Sequence, residues 1–240
     1  MTASLGPYSQ AMLDYWRGTS QGACTIHRDD GFSRLVPVAA FFAGPPFNPL
    51  ERLALEHSVG RVLDVGAGVG RHALFLQKDG CQVTALDVEP ALAAIMSERG
   101  VKEALAGSIF SLVGRQFDTL LMLMNGFGLV GTPAGAEAFF ERARQLLAPG
   151  GQIFCDSLDV RGTTDPTKVS YQEANIRRGR PAGQRRYCME YRGRRGEPFD
   201  WLHVDFDWLS DFAQRHGWSA EMLANEENGH YLARLATSPR

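Results

Sequence analysis

The sequence predicts a doubly wound α/β fold. From Arg61 onward, strand patterns alternate with helix patterns, which is typical of a parallel sheet covered by helices on both faces. Pro90 suits the first turn of a helix, whereas Gly80 and Gly100 suit helix ends. The chain has 240 residues, of which 44% are hydrophobic. It can therefore bury the core of one such domain and still have residues for additional segments outside it.

The individual elements follow from these patterns in chain order. Strands are predicted near residues 61–65, 82–87, 101–105, 117–124 and 151–157, and helices near 70–79, 90–99 and 133–148. The segment from Asp205 to Ala236 predicts a helix, a strand from Trp218, a turn at residues 226–229 and a last strand from His230.

A glycine-rich turn follows the first of these strands. Asp64 lies at the strand end, and the residues after it are Gly66, Ala67, Gly68 and Gly70. Glycines let the backbone approach a ligand closely, and the start of the next helix offers unpaired N–H groups to a carboxylate or phosphate. The dinucleotide pattern Gly-x-Gly-x-x-Gly fails because Arg71 occupies the third glycine position. The Asp64 carboxylate also repels a pyrophosphate and suits an ammonium or sulfonium group.

Four segments carry a family resemblance. Leu63–Gly70 resembles the first motif of the class I S-adenosylmethionine-dependent methyltransferases, and Val83–Asp87 resembles their second strand. Phe117–Leu121 is similar to the fourth strand, and Leu146–Gly151 to the turn into the fifth. The resemblance covers roughly residues 60–158 and implies S-adenosylmethionine as cofactor. It also implies a Rossmann-like, mostly parallel sheet of seven strands with an antiparallel end.

The resemblance implies a set of cofactor contacts. Asp64 would favour the methionine ammonium, the helix after Gly70 would receive the carboxylate, and Asp87 would bind the ribose hydroxyls. Asp87 is alternatively a cap for the helix that begins at Pro90. The chain departs from the family after the third strand, where Ser108 stands in place of an acid and Ile109 can pack on the adenine ring. The predicted cofactor contacts are Asp64, Gly66, Ala67, Gly68, Gly70, His72, Asp87, Val88, Ser108, Ile109, Met124 and Asn125.

The fourth strand is followed by Met124 and Asn125, where a reacting group would meet the cofactor's methyl. The Asn125 amide can position an acceptor or the cofactor amine, although it cannot act as a base. An amine or hydroxyl acceptor also needs a proton acceptor, for which His27 and Tyr171 are the candidates, together with His203 and His230.

Two segments lie outside the family pattern. Residues 1–57 are expected to form an N-terminal helical lid, with a helix pattern from Tyr8 and a loop at residues 27–30. Residues 58–240 are expected to form the cofactor-binding domain, with an insertion at 159–204. Acceptor contacts are predicted in the lid: Tyr8, Tyr15 and Trp16 as aromatic walls, and Arg28 as a carboxylate partner.

Eight arginines fall between residues 177 and 195, at positions 177, 178, 180, 185, 186, 192, 194 and 195. They are consistent with an RNA contact, but also with a solvated hairpin that turns at Gly193–Gly196. The hairpin is favoured because the formal net charge is only −2 and no Asp/Asn-Pro-Pro-aromatic clamp for a flipped base is present.

Cysteine usage and the N-terminus predict a cytoplasmic protein. Cys24, Cys81, Cys155 and Cys188 form no C-x-x-C pair and suit buried thiols in a reducing compartment. No secretion signal and no membrane-length apolar stretch is apparent.

These observations predict methyl transfer from S-adenosylmethionine to nitrogen or oxygen of a small-molecule acceptor, without a metal. One alternative is a cyclase or lyase that consumes the cofactor and releases methylthioadenosine. Others are an RNA-directed methyltransferase and a non-catalytic cofactor-binding module.

Overall fold

The computed structural model describes residues 6–20 and 22–237. The α-helices are α1 (Pro7–Trp16), α2 (Ala39–Phe42), α3 (Pro49–His57), α4 (Arg71–Lys78), α5 (Pro90–Glu98), α6 (Pro133–Leu146), α7 (Pro166–Arg177) and α8 (Phe206–Arg215). The strands are β1 (Ala23–Arg28), β2 (Ser33–Pro37), β3 (Arg61–Val65), β4 (Gln82–Asp87), β5 (Glu103–Ala106), β6 (Phe117–Met122), β7 (Leu147–Leu158), β8 (Gln184–Tyr191), β9 (Arg194–Arg195), β10 (Phe199–Leu202), β11 (Trp218–Asn225) and β12 (His230–Thr237).

The predicted seven-stranded, mostly parallel sheet is confirmed. Its strand order is β11-β12-β7-β6-β3-β4-β5. Strands β6 and β7 pair in parallel, as do β4 and β5, whereas β12 pairs antiparallel to both β7 and β11. The carboxyl ends of the parallel strands therefore carry the segments in which a ligand is expected.

A second sheet has the order β10-β8-β1-β2, with β9 paired to β8. The predicted strand of the arginine-rich segment is confirmed as β8, whereas the segment predicted as the turn, Gly193–Gly196, contains the short strand β9, which pairs antiparallel with β8. The loop expected at residues 27–30 is wrong in part, because His27 and Arg28 belong to β1. Strand β1 pairs antiparallel with β2 in a local hairpin that turns at residues 29–32, and on its other side with β8, about 160 residues away in the chain.

The structure also contains a helix that the strand and turn patterns did not indicate. Helix α7 begins after Asp165, whose side chain accepts hydrogen bonds from the N–H groups of Thr167 and Lys168. Pro166 occupies the first turn of the helix, where its missing N–H costs nothing. In the sequence, the pair Asp165-Pro166 was the signal that could have indicated the start of this helix.

The chain divides into two compact units. The first unit comprises the described parts of Met1–Pro46, Asp64–Leu112 and Arg186–Phe199. The second unit comprises the described parts of Phe47–Leu63, Val113–Arg185 and Asp200–Arg240.

Each unit has its own apolar core. In the first unit, a buried cluster joins α1 and α5 to the glycine-rich turn; its members are Ala11, Met12, Cys24, Val38, Val69, Leu92, Ile95 and Tyr191. In the second unit, the core is aromatic and centres on Phe140, whose ring lies 5.5 Å from Trp218 and 5.9 Å from Phe212. No helix among the described residues is both long and apolar enough to cross a membrane.

Candidate functional site

The glycine turn, residues 66–70, has a backbone that only glycine adopts readily. Gly66, Gly68 and Gly70 have φ angles of 70°, 57° and 80°. The N–H groups of Gly66 and Ala67 both donate to the carbonyl oxygen of Leu86 in β4. A Cβ on Gly70 would lie 2.8 Å from Val101 Cγ2, so this position also lacks room for a side chain.

Asp64 enters this turn as a buried carboxylate with an unused acceptor. It is 2% exposed, and its Oδ2 is buried with no hydrogen-bond partner in the part of the chain that the structure describes. Burial raises its pKa to about 6; the nearby His72 ring and the Ala73 N–H oppose that rise, and the Asp87 charge adds to it. A desolvated anion of this kind is costly alone and suits an organic cation.

Asp87 lies at the end of β4, and its carboxylate holds both the glycine turn and the start of α5. Its Oδ2 accepts a hydrogen bond from the Gly68 N–H at 2.9 Å, and its Oδ1 accepts one from the Glu89 N–H at 3.0 Å. Glu89 is the N-cap of α5, so Asp87 supports the entry of this helix without itself being the cap. Burial raises the pKa of Asp87, and these two N–H groups oppose the rise. Each carboxylate oxygen keeps a further lone pair for another donor.

Ser108 and Ile109 follow β5 in a short 3₁₀ turn. The Ser108 Oγ accepts a hydrogen bond from the Phe110 N–H at 3.3 Å, and its carbonyl oxygen accepts one from the Ser111 hydroxyl at 2.7 Å. The Ile109 side chain is buried, whereas the neighbouring Phe110 and the predicted contact Val88 are exposed. The Phe110 ring, which sequence reasoning did not select, is therefore an apolar surface available to a ligand.

Helix α1 brings Tyr8 to the glycine turn. The Tyr8 hydroxyl lies 4.0 Å from the position that a Cβ on Gly68 would take. Burial raises the pKa of Tyr8, and the charge of Asp87 raises it further. Ser9 holds the helix in place by donating to Glu89 Oε2 at 2.7 Å. Tyr8, predicted as an acceptor contact, thus lies beside the residues that were predicted to bind the cofactor.

The other two aromatic residues of α1 pack against Phe42. The Tyr15 and Trp16 rings lie 4.7 Å and 6.2 Å from the Phe42 ring, and the Trp16 Nε1 donates to Glu98. The Arg99 guanidinium covers the Phe42 ring at 5.1 Å. Both residues therefore have a structural role in seating α1.

The turn after β6, residues Met124–Gly126, is held by an acid that sequence reasoning missed. Met124 and Asn125 have φ angles of 65° and 62°. The N–H groups of Asn125 and Gly126 donate to the two carboxylate oxygens of Asp156 at 3.0 Å and 2.9 Å. The Asn125 Oδ1 is buried and, within the described residues, accepts no hydrogen bond. The signal for Asp156 was a charged residue at the end of an otherwise apolar strand.

Comparison with known proteins agrees with this geometry. The family model of a methyltransferase domain matches residues 62–151. The crystal structure of an S-adenosylmethionine-dependent methyltransferase from Bacteroides fragilis, in complex with S-adenosyl-L-homocysteine, is 35% identical over 100% of this chain and 98% of that chain, with a TM-score of 0.87. The chain belongs to the S-adenosylmethionine-dependent methyltransferases. S-Adenosylmethionine is its cofactor.

More distant structures share the fold of this methyltransferase. CcbJ from Streptomyces caelestis is 15% identical over 83% of this chain and 92% of that chain, with a TM-score of 0.61. The 1,6-didemethyltoxoflavin-N1-methyltransferase of Burkholderia thailandensis is 18% identical over 100% of this chain and 94% of that chain, with a TM-score of 0.55. No curated protein sequence matches the chain significantly.

Two predicted site residues of the methyltransferase lie on β1 with acidic partners. His27 Nε2 is 3.1 Å from Glu190, which also accepts a hydrogen bond from Arg195 Nε at 2.8 Å. The Arg28 side chain is buried, and it donates to both carboxylate oxygens of Asp30 at 2.8 Å and 2.6 Å. Arg28 therefore already has the bidentate carboxylate partner that was predicted to come from an acceptor.

Tyr171, the second candidate base, lies on α7 in the second unit. Its ring lies 4.9 Å from the Arg185 guanidinium carbon. The Arg185 side chain is buried and donates to the Ala182 carbonyl oxygen at 2.6 Å. The structure thus gives the Tyr171 ring a cationic neighbour on the arginine-rich segment.

Proposed function

We propose that this methyltransferase methylates a nitrogen or oxygen atom of a small molecule. The observation that carries the proposal is the buried Asn125 Oδ1, which meets no donor in the described residues. An unsatisfied buried carbonyl oxygen costs about 1–3 kcal/mol, and a ligand N–H or O–H that donates to it recovers that cost. Amines and hydroxyl compounds carry such a donor on the atom that is methylated.

The buried groups around the glycine turn fit the cofactor. We assign the methionine ammonium to the unpartnered Asp64 Oδ2, and the carboxylate to the N–H groups that follow Gly70 together with the Tyr8 hydroxyl. We assign the ribose hydroxyls to the remaining lone pairs of Asp87. The adenine ring is assigned to Ile109 and the exposed Phe110, with Val88 and Ser108 as further neighbours, and His72 is assigned to the methionine end beside Asp64.

The cofactor supplies an electrophilic methyl group on a cationic sulfur, which becomes a neutral thioether as the new bond to nitrogen or oxygen forms. The chain's own task is to hold the acceptor atom in line, which is worth up to about 7–11 kcal/mol in well-oriented cases. The acceptor must also lose a proton. His27 and Tyr171 remain the proposed proton acceptors, and the Glu190 carboxylate would hold the His27 ring in one orientation.

Several arginines that raised the question of RNA have partners inside the protein. Arg185 donates to a backbone carbonyl oxygen, Arg192 lies 3.0 Å from Asp14 Oδ2, and Arg195 contacts Glu190. Arg185 is buried in its contact, whereas the Arg192 and Arg195 side chains are exposed, so their ion pairs contribute little. The burial of Arg185 supports a small-molecule acceptor.

A product assay tests the proposal. The purified chain is incubated with S-adenosylmethionine and a panel of small amines, phenols and hydroxy acids, with RNA and cofactor alone as parallel arms, and S-adenosylhomocysteine and methylthioadenosine are both quantified. The expected result is S-adenosylhomocysteine together with a methylated small molecule. Methylthioadenosine from cofactor alone would instead indicate a cyclase or lyase, and methylated RNA would overturn the acceptor class.

A further inference from the structure

We propose that Asp156 is a positioning residue for methyl transfer, which holds the Met124–Gly126 turn so that the Asn125 amide oxygen stays available to the acceptor. The inference rests on the proposed function, since it gives Asn125 an acceptor N–H or O–H to bind. It adds a residue of β7 to the machinery and makes the turn after β6 the place where acceptor donors are recognised.

The turn cannot hold its shape by itself. Met124 and Asn125 are consecutive non-glycine residues whose backbones lie in the left-handed region, at φ angles of 65° and 62°. A residue such as Met124 costs about 1–2 kcal/mol in this region, whereas asparagine tolerates it better, so the conformation of Met124 persists only where surrounding contacts impose it. The next residue, Gly126, has little room for a side chain, because a Cβ there would lie 3.0 Å from Met122 Cβ.

Asp156 supplies the contacts that impose this conformation. Each of its carboxylate oxygens receives one N–H from the turn, at 3.0 Å from Asn125 and 2.9 Å from Gly126. Two successive N–H groups converging on one anion form a backbone nest. Asp156 is 5% exposed, so these charge-assisted bonds lie in a poorly solvated environment and are correspondingly strong.

Strand register explains why an acid at this position can reach the turn. In the parallel pair of β6 and β7, Met122 lies opposite Cys155. The next residue of β7, Asp156, therefore stands level with the chain as it leaves β6. On the other side of β7, Asp156 lies opposite Leu232 of β12, which keeps the strand in the middle of a hydrogen-bonded ladder.

This arrangement leaves the amide oxygen of Asn125 without a hydrogen bond from the described residues. This oxygen is buried, and the residue before Asn125, Met124, has a strained backbone. Strain and an unsatisfied polar atom at adjacent residues are together typical of a functional site. Asp156 maintains both, and its own negative charge is already used by the two N–H groups of the turn.

Substitution kinetics test the proposal in the full chain. We expect Asp156→Asn to lower kcat/KM for the acceptor by about 10–100-fold, because its amide group can accept only one of the two N–H bonds. The dissociation constant for S-adenosylmethionine, measured by calorimetry, should change less than threefold. In an Asn125→Ala background, Asp156→Asn should add less than a threefold loss, because a residue that acts through Asn125 has nothing left to position.

Asp118→Asn is the matched control. Asp118 stands at the opposite end of β6 and accepts hydrogen bonds from Arg61, so its substitution should change stability but neither kcat nor the acceptor KM. Independent, fully additive losses from Asp156→Asn and Asn125→Ala would overturn the proposal. A cofactor dissociation constant that rises with the loss of activity would also overturn it, since Asn125 would then bind the cofactor.

Amide exchange gives a readout that needs no acceptor. In ¹⁵N-labelled protein, the backbone N–H groups of Asn125 and Gly126 should exchange at least tenfold faster in Asp156→Asn than in the unsubstituted chain. Asp156→Ser, which keeps one acceptor oxygen, serves if the first variant does not fold. Unchanged exchange would overturn the proposal, whereas absence of any methylated small molecule with the unsubstituted chain would count only against the proposed function.

Discussion

At the scale of single residues, Asp64 shows how a binding group lowers the stability of the protein that carries it. Its carboxylate is buried beside the glycine turn, and burial raises its pKa from 3.8 to about 6. Above pH 6 the folded protein therefore holds an ion that the unfolded chain would hydrate freely. The difference in pKa corresponds to about 3 kcal/mol of lost stability, which a bound ammonium group can offset.

Asp64→Asn is therefore expected to stabilise the free protein and weaken cofactor binding. Asparagine keeps an oxygen for the Ala73 N–H and removes the buried charge, so the free energy of unfolding at pH 7.5 should rise by about 1–3 kcal/mol. Calorimetry should show a loss of S-adenosylmethionine affinity of at least tenfold. Loss of stability, with affinity unchanged, would show that the carboxylate is a structural group and binds no cation.

The same pKa predicts how pH affects cofactor binding. Because the folded pKa is raised, Asp64 takes up a proton as the pH falls through about 6, and the protonated group no longer attracts an ammonium. The dissociation constant for S-adenosylmethionine should rise by about tenfold per unit as the pH falls below 6. The Asp64→Asn variant should lack this rise. A similar slope in the variant would place the titrating group elsewhere.

At the scale of elements, sequence patterns located those whose partners lie close in the chain or whose chemistry is distinctive. The strand Arg61–Val65 and the helix beginning at Pro90 were predictable because glycine, proline and acidic residues mark their ends. Strand β1 was missed although it forms a local hairpin with β2 that turns at residues 29–32; only its second pairing, with β8, depends on a segment about 160 residues later. Asp156 was missed because its role depends on a distant pairing of this second kind, the register between β6 and β7.

The 3₁₀ turn that follows Asn125 offers a test of packing at this scale. A Cβ on Gly128 would lie 1.9 Å from Trp201 Nε1, closer than atoms can approach. Gly128→Ala must therefore displace the turn or the indole ring, and we expect a loss of about 2–4 kcal/mol in the free energy of unfolding. Gly162→Ala, where a Cβ meets nothing within 4 Å, is the control and should change stability by less than about 0.5 kcal/mol. Equal effects in chemical denaturation would contradict the packing argument.

At the scale of the whole molecule, binding and folding are linked through the glycine turn. A cofactor that binds only the folded chain stabilises it by about 2.7 kcal/mol at a concentration 100 times its dissociation constant. For a chain of 240 residues, this should raise the Tm by roughly 5–11 °C. S-Adenosylhomocysteine is the suitable probe in a thermal scan, because it carries the ammonium, carboxylate and ribose groups and cannot react. Asp87→Ala, which loses hydrogen bonds to the ribose worth about 1–3 kcal/mol, should lose about one third to nine tenths of that increase at the same probe concentration. An equal increase in both proteins would show that the ribose lies elsewhere, whereas no increase in the unsubstituted chain would contradict the assignment of the whole glycine turn to the cofactor.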